Sequence, residues 1–369
     1  MYNAALRHVA ERTARNVELF RDQFPHIGEN GSYRLFPNTT WTNGFWTGLL
    51  WLCHKYTGDR LFAEQAQRLL PSFEERLAAG TNIDHDVGFL FILSAKAQWL
   101  EQGNEGARAL ALRAADALAD RWRPEGGYIQ AWGDKQDAVN GGRIIMDCLL
   151  NLPLLYWAAE ETGDTRYSAI AEKHAEKSRR FLNRGDDSSY HTFLFDPATG
   201  YPIGGTTHQG LHNGSTWSRG QSWGVYGFAL SYRYTKQAPF LDTAIRMAKY
   251  FIGQLPEDGV AYWDFSADHG SEVPRDSSAT AICLCGLLEI MEHLDEQSED
   301  YRLLSDAAAR MMGALVRIST MHEPEAQGLL KHGAYHVGAN NVPDGYLIFG
   351  DYYYAEALMR FGRMSGSYW

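Results

Sequence analysis

Hydrophobic residues recur along this chain at the 3.6-residue spacing of α-helices, whereas the alternating pattern of strands is sparse. The helical segments are of two kinds, which alternate. The first kind is amphipathic with a charged face and covers 4–23, 60–78, 105–122, 165–182, 238–254 and 300–317. The second kind is more apolar, begins with polar or glycine residues, and covers 43–56, 87–101, 144–161, 221–234, 277–293 and 351–362. Short turns with Gly or Asp, such as YTGDRLF, QGNEGARA and ETGDTRYS, join the second kind to the next segment of the first.

Six such pairs predict an all-α fold, an (α/α)6 barrel with an inner and an outer ring, which occupies residues 1–369 as a single domain. An open solenoid of similar pairs is the alternative, but the aromatic-rich inner segments favour closure. In a closed barrel of this kind, every inner helix begins at the same end. The long connections also lie at that end, over 24–42, 123–143, 183–220 and 318–350. The polar residues that precede the inner helices are therefore expected to converge on one cleft.

Composition narrows the classes of protein to which this chain can belong. The formal net charge is −11, which argues against a general affinity for nucleic acids or anionic membranes. Neither a signal peptide nor a run of 18 uncharged apolar residues is seen. The four cysteines lie in apolar segments without metal-ligand spacing, which predicts reduced thiols in a cytoplasmic protein. The sequence lacks the HExxH motif of zinc proteases, the Walker A motif of NTPases and a GxGxxG dinucleotide-binding motif between strand and helix. We therefore expect no metal or other cofactor, and no obligate protein partner is evident from the sequence.

Two aspartates are candidates for acid–base chemistry. Asp86, in DHDVGF, precedes an inner segment, where capping of the first helical turn would explain it. Asp147 falls inside the apolar segment 144–161, where an unpaired carboxylate is costly, and Arg143 four residues earlier could pair with it on a helix. Alternatively, the two aspartates lie together at the mouth of the barrel. Close like charges would then raise one pKa and keep an acid protonated near neutral pH, an arrangement common in sugar chemistry.

Aromatic and basic residues gather at the same end. In STWSRGQSWG, Arg219 is a candidate anchor for a substrate carboxylate, and Trp217 and Trp223 offer flat faces for a sugar ring. A solvated arginine beside core tryptophans is the alternative. Further candidates at this end are Trp41, Phe45, Trp132, His191, His208, Gln209 and His212.

The stretches WTNGFW, HDVGFL, GGRIIMDCLLNLPLLYWA, GSTWSRGQSWGVYGFAL, RDSSA and GDYYY follow one another over nearly the whole chain. In these stretches the sequence resembles the unsaturated glucuronyl hydrolases, glycoside hydrolase family 88. The resemblance implies an (α/α)6 barrel that removes a non-reducing-end 4,5-unsaturated uronic acid from oligosaccharides left by polysaccharide lyases. In that family's mechanism, a carboxylic acid protonates C4 and activates a water for C5, and the resulting hemiketal opens and releases the partner sugar.

The resemblance also implies roles for individual residues. Asp147 matches the acid/base position and Asp86 the essential second aspartate. His191, Gln209 and Arg219 match residues around the unsaturated ring, with Arg219 against its carboxylate. The matching aromatic lining is Trp41, Phe45, Trp132, Trp217, Trp223 and Tyr335.

Several expectations follow from this family assignment. A coupled pair with Asp147 neutral and Asp86 ionised fits the chemistry and predicts a mildly acidic to neutral optimum. Segment 331–345, which is expected to border the site for the partner sugar, has a single lysine and so favours unsulfated substrates. The alternatives are an unsaturated rhamnogalacturonyl hydrolase, a sugar-binding barrel without activity, and an ordinary inverting glycosidase.

Overall fold

Helices form two concentric rings in the computed structural model, which describes residues 2–364 and 366–369. Within these residues the outer ring contains α1 (Tyr2–Phe20), α3 (Arg60–Ala79), α6 (Glu105–Ala119), α8 (Thr165–Phe181), α10 (Ala238–Gln254) and α12 (Glu299–Ile318). The inner ring contains α2 (Asn43–Thr57), α4 (Val87–Phe91), α5 (Ala97–Gln102), α7 (Pro153–Thr162), α9 (Ser218–Thr235), α11 (Ser277–Met291) and α13 (Ile348–Phe361). A π-helical turn over Ile92–Lys96 joins α4 to α5. Each inner unit contacts the next, and α13 returns to α2, so the ring closes and the predicted (α/α)6 barrel is confirmed.

The turns from inner to outer helices have the local chemistry that the sequence predicts. A glycine with positive φ ends α2, α5 and α7, and the φ values are 72°, 64° and 76° at Gly58, Gly103 and Gly163. The next residue in each case caps the following helix by accepting a backbone N–H, and these residues are Asp59, Asn104 and Asp164. Glycine adopts the left-handed conformation without a steric penalty, and the Asp or Asn satisfies a free amide of the first turn. These turns are therefore encoded locally.

Short strands occupy the long connections, a feature that the sequence pattern did not reveal. In the described part of the chain, one sheet contains β1 (Phe24–Glu29), β2 (Ser32–Phe36) and β8 (Tyr346–Leu347) in the order β2-β1-β8. A second pairs β3 (Trp122–Arg123) with β4 (Tyr128–Ile129). A third has the order β5-β6-β7, from β5 (Arg143–Ile145), β6 (Thr192–Phe195) and β7 (Pro202–Thr206). All pairs are antiparallel, and with two to six residues each the strands are too short for a clear period of two.

The segment that carries Asp147 differs from its prediction. A continuous helix over 144–161 was expected, but Arg143–Ile145 pair with β6 as a strand, and Asp147 lies in a 3-10 turn over Met146–Leu150. The α-helix starts only at Pro153, whose ring lacks an N–H and suits the first turn of a helix. The predicted pairing of Arg143 with Asp147 is therefore wrong. Arg143 instead donates to the side chains of Asn140, Thr192 and Thr206.

One continuous set of buried hydrophobic side chains fills the barrel. Near the axis, the rings of Phe45, Phe89, Trp223, Tyr353 and Trp369 form a chain of neighbours with centroids 5.2–5.8 Å apart. This aromatic layer supports the residues at the mouth of the barrel. The assignment of the whole chain to one domain stays a prediction.

The four cysteines are buried and free. In the described part of the chain, no helix is both long enough and apolar enough to cross a membrane. The cytoplasmic location stays a prediction.

Candidate active site

A small cavity of about 170 Å³ opens at the end of the barrel where the inner helices begin. Its lining comes from the connections that lead into several inner helices: Trp41, His85, Asp86, Trp132, Ile145, Asp147, His208, Gln209, Tyr335 and His336. The expected convergence on one cleft is observed for the connections before α2, α4, α7, α9 and α13, whereas the connection before α11 contributes no residue to the lining. A larger depression of about 660 Å³ lies beside α1 on the outside of the barrel, but neither aspartate of the pair lines it. The chemistry therefore points to the smaller cavity.

Asp86 stands immediately before α4 but does not cap it. Among the described residues, its side chain accepts no hydrogen bond from the helix, and the N–H of Phe89 donates instead to Oδ1 of Asn151 at 2.7 Å. The same Asn151 side chain donates to the backbone carbonyl of Asp147 at 3.2 Å. Asn151 thus links the two segments that carry the aspartates. The capping explanation of Asp86 is wrong, and its carboxyl group is left to line the cavity.

Burial raises the pKa of both aspartates. The side chains of Asp86 and Asp147 are only 12% and 13% exposed. Burial raises the pKa of Asp147 to about 7, although the positive charge of Arg219 opposes the rise. For Asp86, burial and then the charges of Asp84 and Asp147 raise the pKa well above 3.8. The pair therefore retains a proton near neutral pH, as an acid catalyst requires.

A buried histidine lies beside each aspartate. His85 Nε2 is 3.3 Å from Asp86 Oδ1, and His191 Nε2 is 3.8 Å from Asp147 Oδ1. Burial lowers the pKa of His85 to about 4 and that of His191 well below 6.5. Both rings are therefore neutral at neutral pH, so the aspartates beside them gain no full positive charge. This helps to keep the carboxyl pKa values high.

Arg219 is almost fully buried and lies outside the lining of the cavity. Its guanidinium forms an ion pair with Asp276, which also caps α11. It donates further to the carbonyl oxygens of Ala334 and Tyr335, both at 2.7 Å. Gln209 Nε2 donates to the same Tyr335 carbonyl at 2.8 Å. Arg219 and Gln209 thus both bind the segment that carries Tyr335. The predicted contact of Arg219 with a substrate carboxylate stays a prediction.

The predicted aromatic residues divide into two groups. Trp41, Trp132 and Tyr335 line the cavity, and the Trp41 indole N–H donates to the Tyr335 hydroxyl at 3.3 Å. The others are buried outside the lining, and they are Phe45, Trp217 and Trp223. Trp217 packs on the ring of His191, with centroids 4.2 Å apart, and the Arg219 guanidinium lies 4.4 Å from its centroid. These three aromatic side chains therefore belong to the packing around the site and not to its lining.

Sequence reasoning did not single out every residue of the site. His85, Ile145 and His336 line the cavity although the sequence did not mark them as candidates, and His208 lines it although the sequence predicted no role for it. The DHD triplet was the available signal for His85. His212, named from the same loop as His208, is exposed and does not line the cavity.

One group of side chains in the described residues could also hold a metal ion. Asp84, His85 and Asp86 place their potential ligand atoms within 4.8 Å of one another. Acid catalysis by the aspartate pair requires only protein carboxyl groups and water.

Comparison with known proteins agrees with this geometry. Residues 17–363 match the model of Glycosyl Hydrolase Family 88. The chain is 54% identical over 372 residues to an unsaturated glucuronyl hydrolase from Bacillus sp. (strain GL1), covering 100% of this chain and 99% of that protein. The crystal structure of the unsaturated glucuronyl hydrolase from Bacillus sp. GL1 has a TM-score of 0.98, with 100% of this chain and 99% of that chain covered.

A second solved structure is a variant of the unsaturated glucuronyl hydrolase from Streptococcus agalactiae complexed with dGlcA-GalNAc6S. It has a TM-score of 0.88 at 36% identity and covers 100% of this chain and 93% of that chain. The family match spans nearly the whole chain and agrees with the paired aspartates at the mouth of the closed barrel. The chain belongs to glycoside hydrolase family 88.

Proposed function

We propose that this chain is an unsaturated glucuronyl hydrolase. It removes the 4,5-unsaturated glucuronic acid at the non-reducing end of oligosaccharides that polysaccharide lyases release. Family membership and the 54% identity to the Bacillus hydrolase support this assignment over an unsaturated rhamnogalacturonyl hydrolase. A sugar-binding barrel without activity has no need of two buried carboxyl groups in one cavity.

The observation that carries the proposal is the pair of buried aspartates in a small cavity with aromatic walls. Asp86 and Asp147 both line it, and burial raises the pKa of each. Trp41 and Trp132 both line the cavity, and their flat apolar faces suit a substrate whose C4=C5 double bond flattens the sugar ring. A protonated carboxyl group beside such a ring is equipped to protonate carbon.

The reaction adds one molecule of water across the double bond. Asp147 gives its proton to C4, and positive charge develops at C5 and the ring oxygen. Burial raises the pKa of both carboxyl groups, and we infer that the single proton of the coupled pair lies on Asp147 when the substrate reacts, so that an ionised Asp86 stabilises the developing charge. Water then forms the C5–O bond, and its released proton returns to Asp147. The C5 hemiketal opens to a ketone, and the hemiacetal at C1 expels the partner sugar as an alcohol. The anomeric carbon is never attacked directly.

The remaining residues orient the substrate. We infer that Gln209 and Arg219 flank the unsaturated ring and that Trp41, Trp132 and Tyr335 contact it. The predicted ring residue His191 is buried outside the cavity lining and lies beside Asp147, so it acts on the ring through that aspartate. A direct contact between Arg219 and the uronate carboxylate requires one guanidinium nitrogen to turn from the Tyr335 carbonyl towards the cavity. Even without this movement, the positive charge of Arg219 influences the cavity, because it opposes the rise of the Asp147 pKa that burial causes.

The test follows the ultraviolet absorbance of the ene-carboxylate in lyase-derived disaccharides after the enzyme is added. We expect loss of absorbance with stoichiometric release of the intact partner sugar, and no change in the saturated disaccharide. Asp147→Asn should lose nearly all turnover while remaining folded by circular dichroism. The matched control is Asp351→Asn, because Asp351 is also a buried aspartate whose pKa burial raises to about 7, but it lies outside the cavity.

Three results would overturn the assignment. Cleavage of the saturated disaccharide would indicate an ordinary glycosidase. Turnover only of the rhamnogalacturonyl disaccharide would assign the chain to that alternative. Binding without loss of absorbance on either substrate would leave a sugar-binding barrel.

A further inference from the structure

The two ring nitrogens of His191 have different surroundings. Nδ1 lies 3.2 Å from the backbone nitrogen of His208, 3.3 Å from that of Gln209 and 3.4 Å from the hydroxyl of Thr207. A backbone N–H can only donate, so Nδ1 must be the acceptor and carries no hydrogen. In a neutral imidazole the hydrogen then resides on Nε2. The loop that carries two cavity residues thus sets the tautomer of His191.

Asp147 lies on the Nε2 side of the His191 ring. Nε2 is 3.8 Å from Asp147 Oδ1, and both atoms are buried without a hydrogen-bond partner among the described residues. Catalytic hydrogen bonds are often long before substrate binds and tighten in the complex. Because Oδ1 is buried, the 13% exposure of the Asp147 side chain leaves Oδ2 as the oxygen that can face the cavity.

We propose that His191 is a positioning residue whose Nε2–H, fixed by the His208 and Gln209 amides, binds Asp147 Oδ1 and so places the acidic proton on Oδ2. This inference rests on the proposed function, because it assigns a donor to the acid of that reaction. Oδ2 delivers its proton to C4 of the substrate. The resulting carboxylate keeps the hydrogen bond from Nε2 and then recovers a proton from the water that adds to C5. His191 itself neither gains nor loses a proton.

The surroundings keep the ring neutral throughout. The Trp217 ring packs on it, and among the residues that the structure describes only the carboxyl group of Asp147 lies close enough to stabilise an imidazolium as an ion pair. Burial and nearby positive groups lower the pKa of His191, and the titratable and charged groups that face this region are Asp147, His208, Arg219, His336, His85 and Asp86. We therefore expect the alkaline limb of the pH dependence to belong to the aspartate pair, and His191 to alter where that limb falls.

Two substitutions separate the functions of the two nitrogens. The side-chain amide of an asparagine occupies roughly the position of the histidine Nδ1. His191→Asn therefore keeps an acceptor for the His208 and Gln209 amides but removes the donor to Asp147. Gln reaches near the place of Nε2, so His191→Gln keeps a donor. For His191→Asn we expect kcat to fall roughly 10- to 100-fold with KM little changed, because a hydrogen bond to an ionised group is lost only as charge develops. The alkaline limb of kcat/KM should move up by roughly one pH unit or more, since the Asp147 carboxylate loses a stabilising donor.

His191→Gln should restore part of kcat and return the limb towards its original position. His212→Asn is the matched control, because His212 lies on the same loop and its Nδ1 also accepts a backbone N–H, from Gly214, yet it is exposed and outside the cavity. That variant should keep the wild-type profile. Equal losses in both His191 variants, with no movement of the limb, would overturn the proposal and leave a structural role.

The tautomer is observed directly by long-range ¹H–¹⁵N correlation on protein labelled with ¹⁵N-histidine, with the His191 signals identified by their loss in His191→Gln. We expect a neutral Nε2–H ring from pH 5 to 9. An Nδ1–H tautomer, or protonation within that range, would overturn the proposal. The spectrum does not depend on turnover. A wild-type enzyme that leaves unsaturated disaccharides unchanged would therefore overturn the proposed function separately.

Discussion

Replacing Asp147 by asparagine should remove the activity and, at alkaline pH, make the protein more stable. A buried carboxyl group whose pKa is raised disfavours its own ionisation in the folded state. The folded protein is therefore penalised once pH rises above the unfolded pKa, and the penalty stops growing above the folded pKa. Asparagine has nearly the same shape and never ionises, so the variant escapes this penalty.

The size of the effect follows from the pKa of Asp147. The difference between 3.8 and about 7 corresponds to about 4 kcal/mol, because one pKa unit equals about 1.4 kcal/mol. Linkage predicts that nearly all of this penalty is present at pH 8 and only about 0.5 kcal/mol at pH 4. With an unfolding entropy of about 0.8 kcal/mol/K for 369 residues, the variant should melt about 5 °C above the wild type at pH 8. At pH 4 the difference should be within about 1 °C.

Calorimetric melting of both proteins at pH 4, 6 and 8, at one ionic strength and one scan rate, measures this dependence. Loss of the Asp147 charge also relieves Asp86, which shifts the result in the same direction. Any fixed cost of the amide itself is common to every pH and cancels when the differences are compared. The informative quantity is therefore the change in the melting difference with pH.

Asp137→Asn provides a control of opposite sign. Asp137 is partly exposed at the surface, and hydrogen bonds from Asn140 and the Val139 amide hold its pKa below the usual range. Its carboxylate stabilises the fold above the unfolded pKa, so its removal should give no gain at pH 8. A melting difference for Asp147→Asn that does not grow with pH, or that favours the wild type at pH 8, would refute the argument that burial raises this pKa.

Three further outcomes are expected. The kcat/KM for an unsaturated disaccharide should fall as pH rises through about 7, because Asp147 must be protonated to act; an unchanged rate up to pH 9 in the absorbance assay would contradict this. Gly88→Ala should reduce kcat without any change to a cavity side chain, because the added Cβ would lie 2.5 Å from the Cα of Asn151 and displace the turn that carries Asp147. Circular dichroism checks that this variant folds, and wild-type kcat would contradict the prediction. Unsulfated disaccharides should have a higher kcat/KM than 6-sulfated ones in competition assays. The reason is that Lys331, the single lysine of segment 331–345, already forms an ion pair with Glu323 at 2.5 Å and is not free to bind a sulfate. A higher kcat/KM for the sulfated disaccharide would contradict this prediction.

The helical framework could be predicted from sequence because its signals are local. The 3.6-residue period identified both rings, and the Gly-Asp or Gly-Asn pairs at 58–59, 103–104 and 163–164 marked the turns between them. Once the pairs were counted, the barrel's topology placed the residues before the inner helices at one end. Asp86, Asp147, Trp41, Trp132 and Gln209 could therefore be assigned to one end of the barrel before any distance was known, whereas Tyr335 was predicted only through the resemblance to the family.

The tertiary structure decided what each of those side chains contacts. Asn151, 62 residues from Phe89, accepts the Phe89 N–H that Asp86 was expected to cap. Arg143 is part of a strand because its segment pairs with β6, and Arg219 forms an ion pair with Asp276, 57 residues away. Such contacts leave no periodic signal, because they depend on how distant segments meet and on the burial that results. The same burial, which no sequence window shows, raises the pKa of the aspartates and keeps His191 neutral. The sequence alone thus determined the barrel and the residue types of its mouth, whereas packing determined their protonation and their partners, since both depend on desolvation and on contacts between residues far apart in the chain.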